Sequence, residues 1–105
     1  MESPEPVPGT MLLEDFTPLV GRTLLADCDP RPAELILVEA SPLRHQGFAD
    51  RASFILIFRS APEVLLVAGG YNMRAPGFGP LNIHILQIAP PAGSPDGHYY
   101  QAIFN

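Results

Sequence analysis

Apolar residues in this chain recur at helical spacing only near its start and at strand spacing through most of the rest. In Met11-Leu-Leu-Glu-Asp-Phe16, Leu12 or Leu13 stands three or four residues before Phe16, and Leu19 and Val20 extend the stripe. The spacing predicts one short helix of about two or three turns, with Thr10 as N-cap and Glu14 and Asp15 where the helix dipole favours negative charge. The capping box is imperfect, because Glu14 follows Thr10 by four positions and not three. Pro18 and Gly21 end the helix.

Strand signals begin at Arg22. Residues 22–27 and 33–40 flank Cys28-Asp-Pro-Arg-Pro32, which reads as a turn, so the two runs suit a hairpin. Residues 41–49 carry Pro42, His45 and Gly47 without periodicity and read as a loop. Arg51-Ala-Ser-Phe-Ile-Leu-Ile-Phe-Arg59 is the clearest strand, with Phe54, Leu56 and Phe58 on one face and Ser53, Ile55 and Ile57 on the other. Both faces are largely apolar, so the second is expected to be covered by the short helix, a further sheet layer or a partner chain. Glu63–Val67 reads as a strand or a linker, Gly69-Gly70 as a bulge or turn, and residues 75–80 as a turn. Residues 81–89 form a strong strand, and His98–Asn105 a last one after the turn Ser94-Pro-Asp-Gly97.

The sum is a mainly β chain: a short N-terminal helix and then about six antiparallel strands, rolled into a small barrel or sandwich. No second helical run is long enough for a βαβ crossover. At 105 residues a single core is expected, over residues 10–105. Residues 1–9, with three prolines and two glutamates, are expected to form a flexible arm.

Composition narrows the function classes. Charged residues make up 16% against a usual level of about 25%, which favours a surface that meets another protein. Net charge is -5, and the six basic residues are arginines, Arg22, Arg31, Arg44, Arg51, Arg59 and Arg74, spread singly along the chain. With no basic stripe, neither nucleic-acid binding nor attraction to an anionic membrane is expected. No run approaches the roughly 20 apolar residues of a membrane span. The acidic, proline-rich start does not resemble a signal peptide, and a single cysteine forms no internal disulfide, so a cytoplasmic location is expected.

Candidate chemistry is sparse. Cys28, His45, His84 and His98 fall at no metal-ligand spacing, and no cofactor is expected. Mid-strand His84 reads as a partly buried structural residue, and His45 and His98 as solvated. Cys28 lies between Asp27 and Asp29, whose negative charges work against a reactive thiolate. The carboxylate pairs Glu14/Asp15 and Asp27/Asp29 are explained by the helix dipole and by turn formation. The Gly-rich segments at 68–71 and 77–79 lack the lysine and following helix of a phosphate loop. An enzyme is therefore not expected.

Leu13-Glu-Asp-Phe-Thr-Pro-Leu-Val-Gly21, Phe54–Arg59, Gly70-Tyr71, Gly79 and the terminal Tyr100-Gln-Ala-Ile-Phe-Asn105 resemble an uncharacterised family of small bacterial proteins, over residues 11–105. The sequence departs from that family's pattern at Leu12, where a capping Thr is common, and in its Pro-rich arm. The resemblance implies association with phage-tail-collar-like proteins, and so an accessory part of a tail-like or surface assembly. The expectation is a non-enzymatic interaction or assembly protein that pairs with itself or with a structural protein. Candidate surface residues are Ile55, Ile57, Tyr71, Phe78, Tyr99 and Ile103, with one of Tyr99 and Tyr100 turned to the core and the other outward. The alternative is a small-molecule-binding barrel whose second apolar strand face lines a cavity.

Overall fold

The computed structural model describes residues 11–28, 30–43 and 53–104. The arm at 1–9, the Thr10 cap, Asp29, His45 with most of its loop, and the first two residues of the strand predicted from Arg51 lie outside the described residues. The chain begins with helix α1 (Leu13–Phe16), which tightens into a 3-10 turn over Thr17–Leu19. This is shorter than the spacing predicts, because Pro18 enters the second turn without a backbone donor. Leu12 occupies the N-cap, and its own N–H donates to the Asp15 carboxylate at 2.8 Å. Asp15 thus makes the reciprocal bond of a capping box, while Leu12 has no side-chain oxygen with which to return it.

Six strands follow: β1 (Thr23–Ala26), β2 (Ala33–Pro42), β3 (Phe54–Ser60), β4 (Gly69–Ala75), β5 (Phe78–Ile88) and β6 (His98–Phe104). All neighbours are antiparallel, and the order β1-β2-β3-β6-β5-β4 closes into a barrel through β1 and β4. Between barrel and sandwich, the chain forms the barrel, which leaves no sheet edge running the whole length of the molecule. The hairpin of β1 and β2 joins where the two prolines predict it.

The reading of the two glycines is corrected. Gly69 and Gly70 open β4 in place of a bulge or turn, and a Cβ on Gly70 would stand 2.7 Å from the Asn82 side chain on β5. The register shift falls later, between Met73 and Ala75, opposite Gly79, whose φ is +79°. Residues 75–80 supply a tight turn only at Pro76-Gly77, so Phe78 already belongs to β5. Glu63–Val67, read as a strand or linker, is a linker, part of the stretch 61–68 that crosses one end of the barrel.

The inward positions are those the period of two selects. Leu24, Leu35, Leu37, Leu56, Phe58, Met73, Ile83, Ile85 and Tyr100 are buried in one continuous cluster. A second register shift, between Leu37 and Glu39, turns Val38 outward and restores Ala40 to the inner face opposite Leu56.

Phe16, projecting from α1, plugs one barrel end. Its ring lies 5.7, 5.5 and 5.3 Å from those of Phe54, Phe78 and Phe104, and the last of these stacks on Phe54 at 4.8 Å. The helix therefore covers an end of the barrel and not the outer face of β3.

Candidate interaction surface

The outer face of β3 and β6 carries most of the predicted surface residues. Ile55 stands directly opposite Ile103, and Ile57 opposite Gln101, which is opposite Leu86 on β5. Ile103 and Leu86 are half exposed, Ile55 is partly covered, and Val38 adds an exposed apolar group on β2. None of Ile55, Ile57, Ile103, Gln101 and Leu86 carries a charge, on a chain whose net charge is -5.

Of the six predicted positions two, Tyr71 and Phe78, face inward, and two on the outer face, Ile57 and Tyr99, are covered. Tyr99 faces outward by strand parity yet is buried, because the segment before β6 folds back over it: Tyr99 donates to the Pro95 carbonyl at 2.7 Å, and Arg59 donates to that of Asp96 at 3.2 Å. Tyr99 and Tyr100 are both buried, which corrects the reading that one is free. Ile57 is also buried. Phe78 faces inward and packs edge-on against Phe16. Tyr71 faces inward on β4 opposite Ile83 and reaches the barrel's other end, where its hydroxyl donates to the Val67 carbonyl at 2.7 Å. Burial raises the Tyr71 phenol above its ordinary value of 10.0, and the neighbouring Cys28 and Tyr100 add to the rise.

That second end is closed by polar groups. Ser60 donates to the Val64 carbonyl at 2.7 Å and lies 2.9 Å from the Tyr100 hydroxyl, which accepts the Leu66 N–H at 3.0 Å. Ser60 has one proton, and it goes to Val64, so Tyr100 donates to Ser60. The chain Leu66 to Tyr100 to Ser60 to Val64 uses each donor once and ties residues 61–68 onto the barrel.

His84 is exposed on β5 between buried Ile83 and Ile85, which overturns its reading as a partly buried residue. Its position is the outward one of the alternation. His98 bonds the Pro62 carbonyl at 3.0 Å and contacts Gln87 at 3.4 Å, so it serves the same end closure. Cys28 is half-buried, its thiol directed to the Ala26 and Arg31 carbonyls at 3.6 and 3.4 Å. Among the described residues no three His, Cys, Asp or Glu side chains converge as metal ligands. No helix there is long and apolar enough to cross a membrane.

Two of the clefts among the described residues open on the outside. One, of about 720 Å³, lies between the β1–β2 turn and residues 61–66, with Arg31, Glu34, Arg59 and Glu63 on its walls. The other, of about 390 Å³, lies over the β1–β4 seam near Arg74, which pairs with Asp27. The larger cleft joins residues nearly thirty positions apart, and strand periodicity in the sequence carries no signal for it.

A closed six-stranded antiparallel barrel with a packed interior and a helical plug defines the class of this protein. The model of the family described as Domain of unknown function (DUF6916) matches residues 11–104, and the chain belongs to that family. No curated protein and no solved structure matches the chain.

Proposed function

We propose that this is a non-enzymatic interaction or assembly protein, whose outer β3–β6–β5 face pairs with a second copy or with a larger structural protein. The observation that carries this reading is the uncharged row Ile55, Ile103 and Leu86, part-covered to half-exposed on one continuous sheet face. Low charge at that row lets two acidic chains approach there at smaller electrostatic cost than elsewhere. The resemblance to small bacterial proteins found beside phage-tail-collar-like proteins supports a place in a tail-like or surface structure. Size-exclusion chromatography with light scattering, over a wide concentration range, tests the reading. A mass above that of one chain supports it, and replacing Leu86 and Ile103 by Glu restores the single-chain mass.

The ligand-binding alternative takes a different form from a lined cavity. Side chains of all six strands meet in the core cluster, so ligand space lies in the external cleft of about 720 Å³. That volume falls in the ordinary range for binding clefts.

A further inference from the structure

The direction of individual backbone groups shows what the larger cleft offers. Asp27 donates its N–H to the Asn72 carbonyl on β4 at 2.9 Å. Successive residues of a strand turn their N–H and C=O to alternate sides, so Leu25 also faces β4, while Leu24 and Ala26 face β2. Their partners Leu35 and Ala33 face back to β1, as does Leu37, which donates to the Arg22 carbonyl at 3.1 Å. Glu34 therefore presents its N–H and C=O on the opposite side, where β3 would continue.

Strand β3 does not continue there. Its pairing with β2 ends at Ile36 and Arg59, and the chain turns away after Ser60. The Ala61 carbonyl, which would stand opposite Glu34, accepts the Val64 N–H at 2.9 Å. Among the described residues neither backbone group of Glu34 has a hydrogen-bond partner. The barrel thus keeps a short open edge at Glu34, at the side of a cleft of about 720 Å³.

The side chains around that edge are charged and form no ion pair with one another among the described residues. Arg31, Arg59, Glu34 and Glu63 line the cleft, and the ion pair found among the described residues, Arg74 with Asp27, involves none of them. The Asp96 carbonyl anchors Arg59 without neutralising it.

We propose that this cleft receives an extended segment of another polypeptide, which adds as a short strand to β2 at Glu34 and carries an acidic side chain to Arg31 or Arg59. Main-chain bonds to the edge give such a complex its affinity, and the flanking charges give it selectivity. A basic side chain two positions along the segment, on the same face as the acidic one, meets Glu63. The inference rests on the interaction reading and assigns it a second, separate surface.

The test selects random linear peptides from a display library against the full chain and measures binding of the synthesised winners by calorimetry and by amide hydrogen exchange. Winners are expected to share an acidic position, to slow exchange of the Glu34 amide about tenfold or more, and to bind about tenfold more weakly to Arg59→Glu. Glu34→Pro, which removes the open N–H, is expected to abolish binding, whereas Glu34→Ala retains it; circular dichroism identifies a variant that has lost its fold. Binding is expected to survive Leu86→Glu with Ile103→Glu. The inference is overturned by a failed selection, by winners that leave Glu34 exchange unchanged, or by a Glu34 amide already protected in the free chain. If the chain nevertheless associates through its outer face, the interaction reading stands and the cleft assignment alone falls.

Discussion

Single residues at the polar end of the barrel have effects that can be separated. Tyr100→Phe leaves Leu66 N–H without its acceptor and Ser60 without its donor, so urea denaturation is expected to show a loss of about 1–3 kcal/mol. Combined with Ser60→Ala, which removes the neighbouring link, the losses are expected to be non-additive by at least about 0.5 kcal/mol. Tyr71 gives the pH dependence. Its folded pKa is raised, so the folded chain holds the phenolic proton more tightly than the unfolded one between the ordinary value of 10.0 and the raised one. Its effect on stability is flat below about pH 10 and becomes unfavourable as pH rises through the folded value. Denaturation at pH 8 and above pH 10 is expected to show a steeper alkaline loss in the wild type than in Tyr71→Phe. The burial of both terminal tyrosines was not legible in the sequence, because alternation assigns them to opposite faces and cannot see a preceding segment fold back over the outer one.

At the scale of elements, the end plug and the segment over Tyr99 carry the sharpest expectations. Phe16→Ala removes the ring on which Phe54, Phe78 and Phe104 converge and is expected to cost about 3–5 kcal/mol, measured by denaturant unfolding. Gly97 has φ +145°, and a Cβ there would collide with the Ser60 carbonyl, so Gly97→Ala is expected to destabilise the chain and expose Tyr99 to quenchers of its fluorescence. Strand existence was legible wherever alternation ran unbroken, as in residues 54–60 and 81–88. It was obscured where glycine dominated: Gly69 and Gly70 carry no side chain to report a pleat, yet β5 supplies their pairing. The short helix was legible from Phe16 and Leu19, but not its use as a plug, since an amphipathic stripe does not say which apolar surface it will meet.

Across the whole molecule, barrel closure turns one set of apolar positions inward and leaves the question of what the other set does. Doubly apolar β3 announced that its second face is covered, and Ile57 and Tyr99 are covered within the chain itself. Ile103 and Leu86 are left half exposed beside them, and interaction is assigned to that remainder. The cleft edge at Glu34 was illegible, because it depends on where β3 stops relative to β2, a register fact that no local pattern encodes. Light scattering on a size-exclusion column, for the wild type and for the chain with Leu86→Glu and Ile103→Glu, decides whether the outer β3–β6–β5 face associates with a second copy. The expected result is a wild-type mass that rises with concentration above the single-chain 11.4 kDa, while the variant stays at that value with its unfolding midpoint unchanged. A wild-type mass fixed at 11.4 kDa at every concentration, or association that the variant retains in full, would contradict the assignment of self-association to this face.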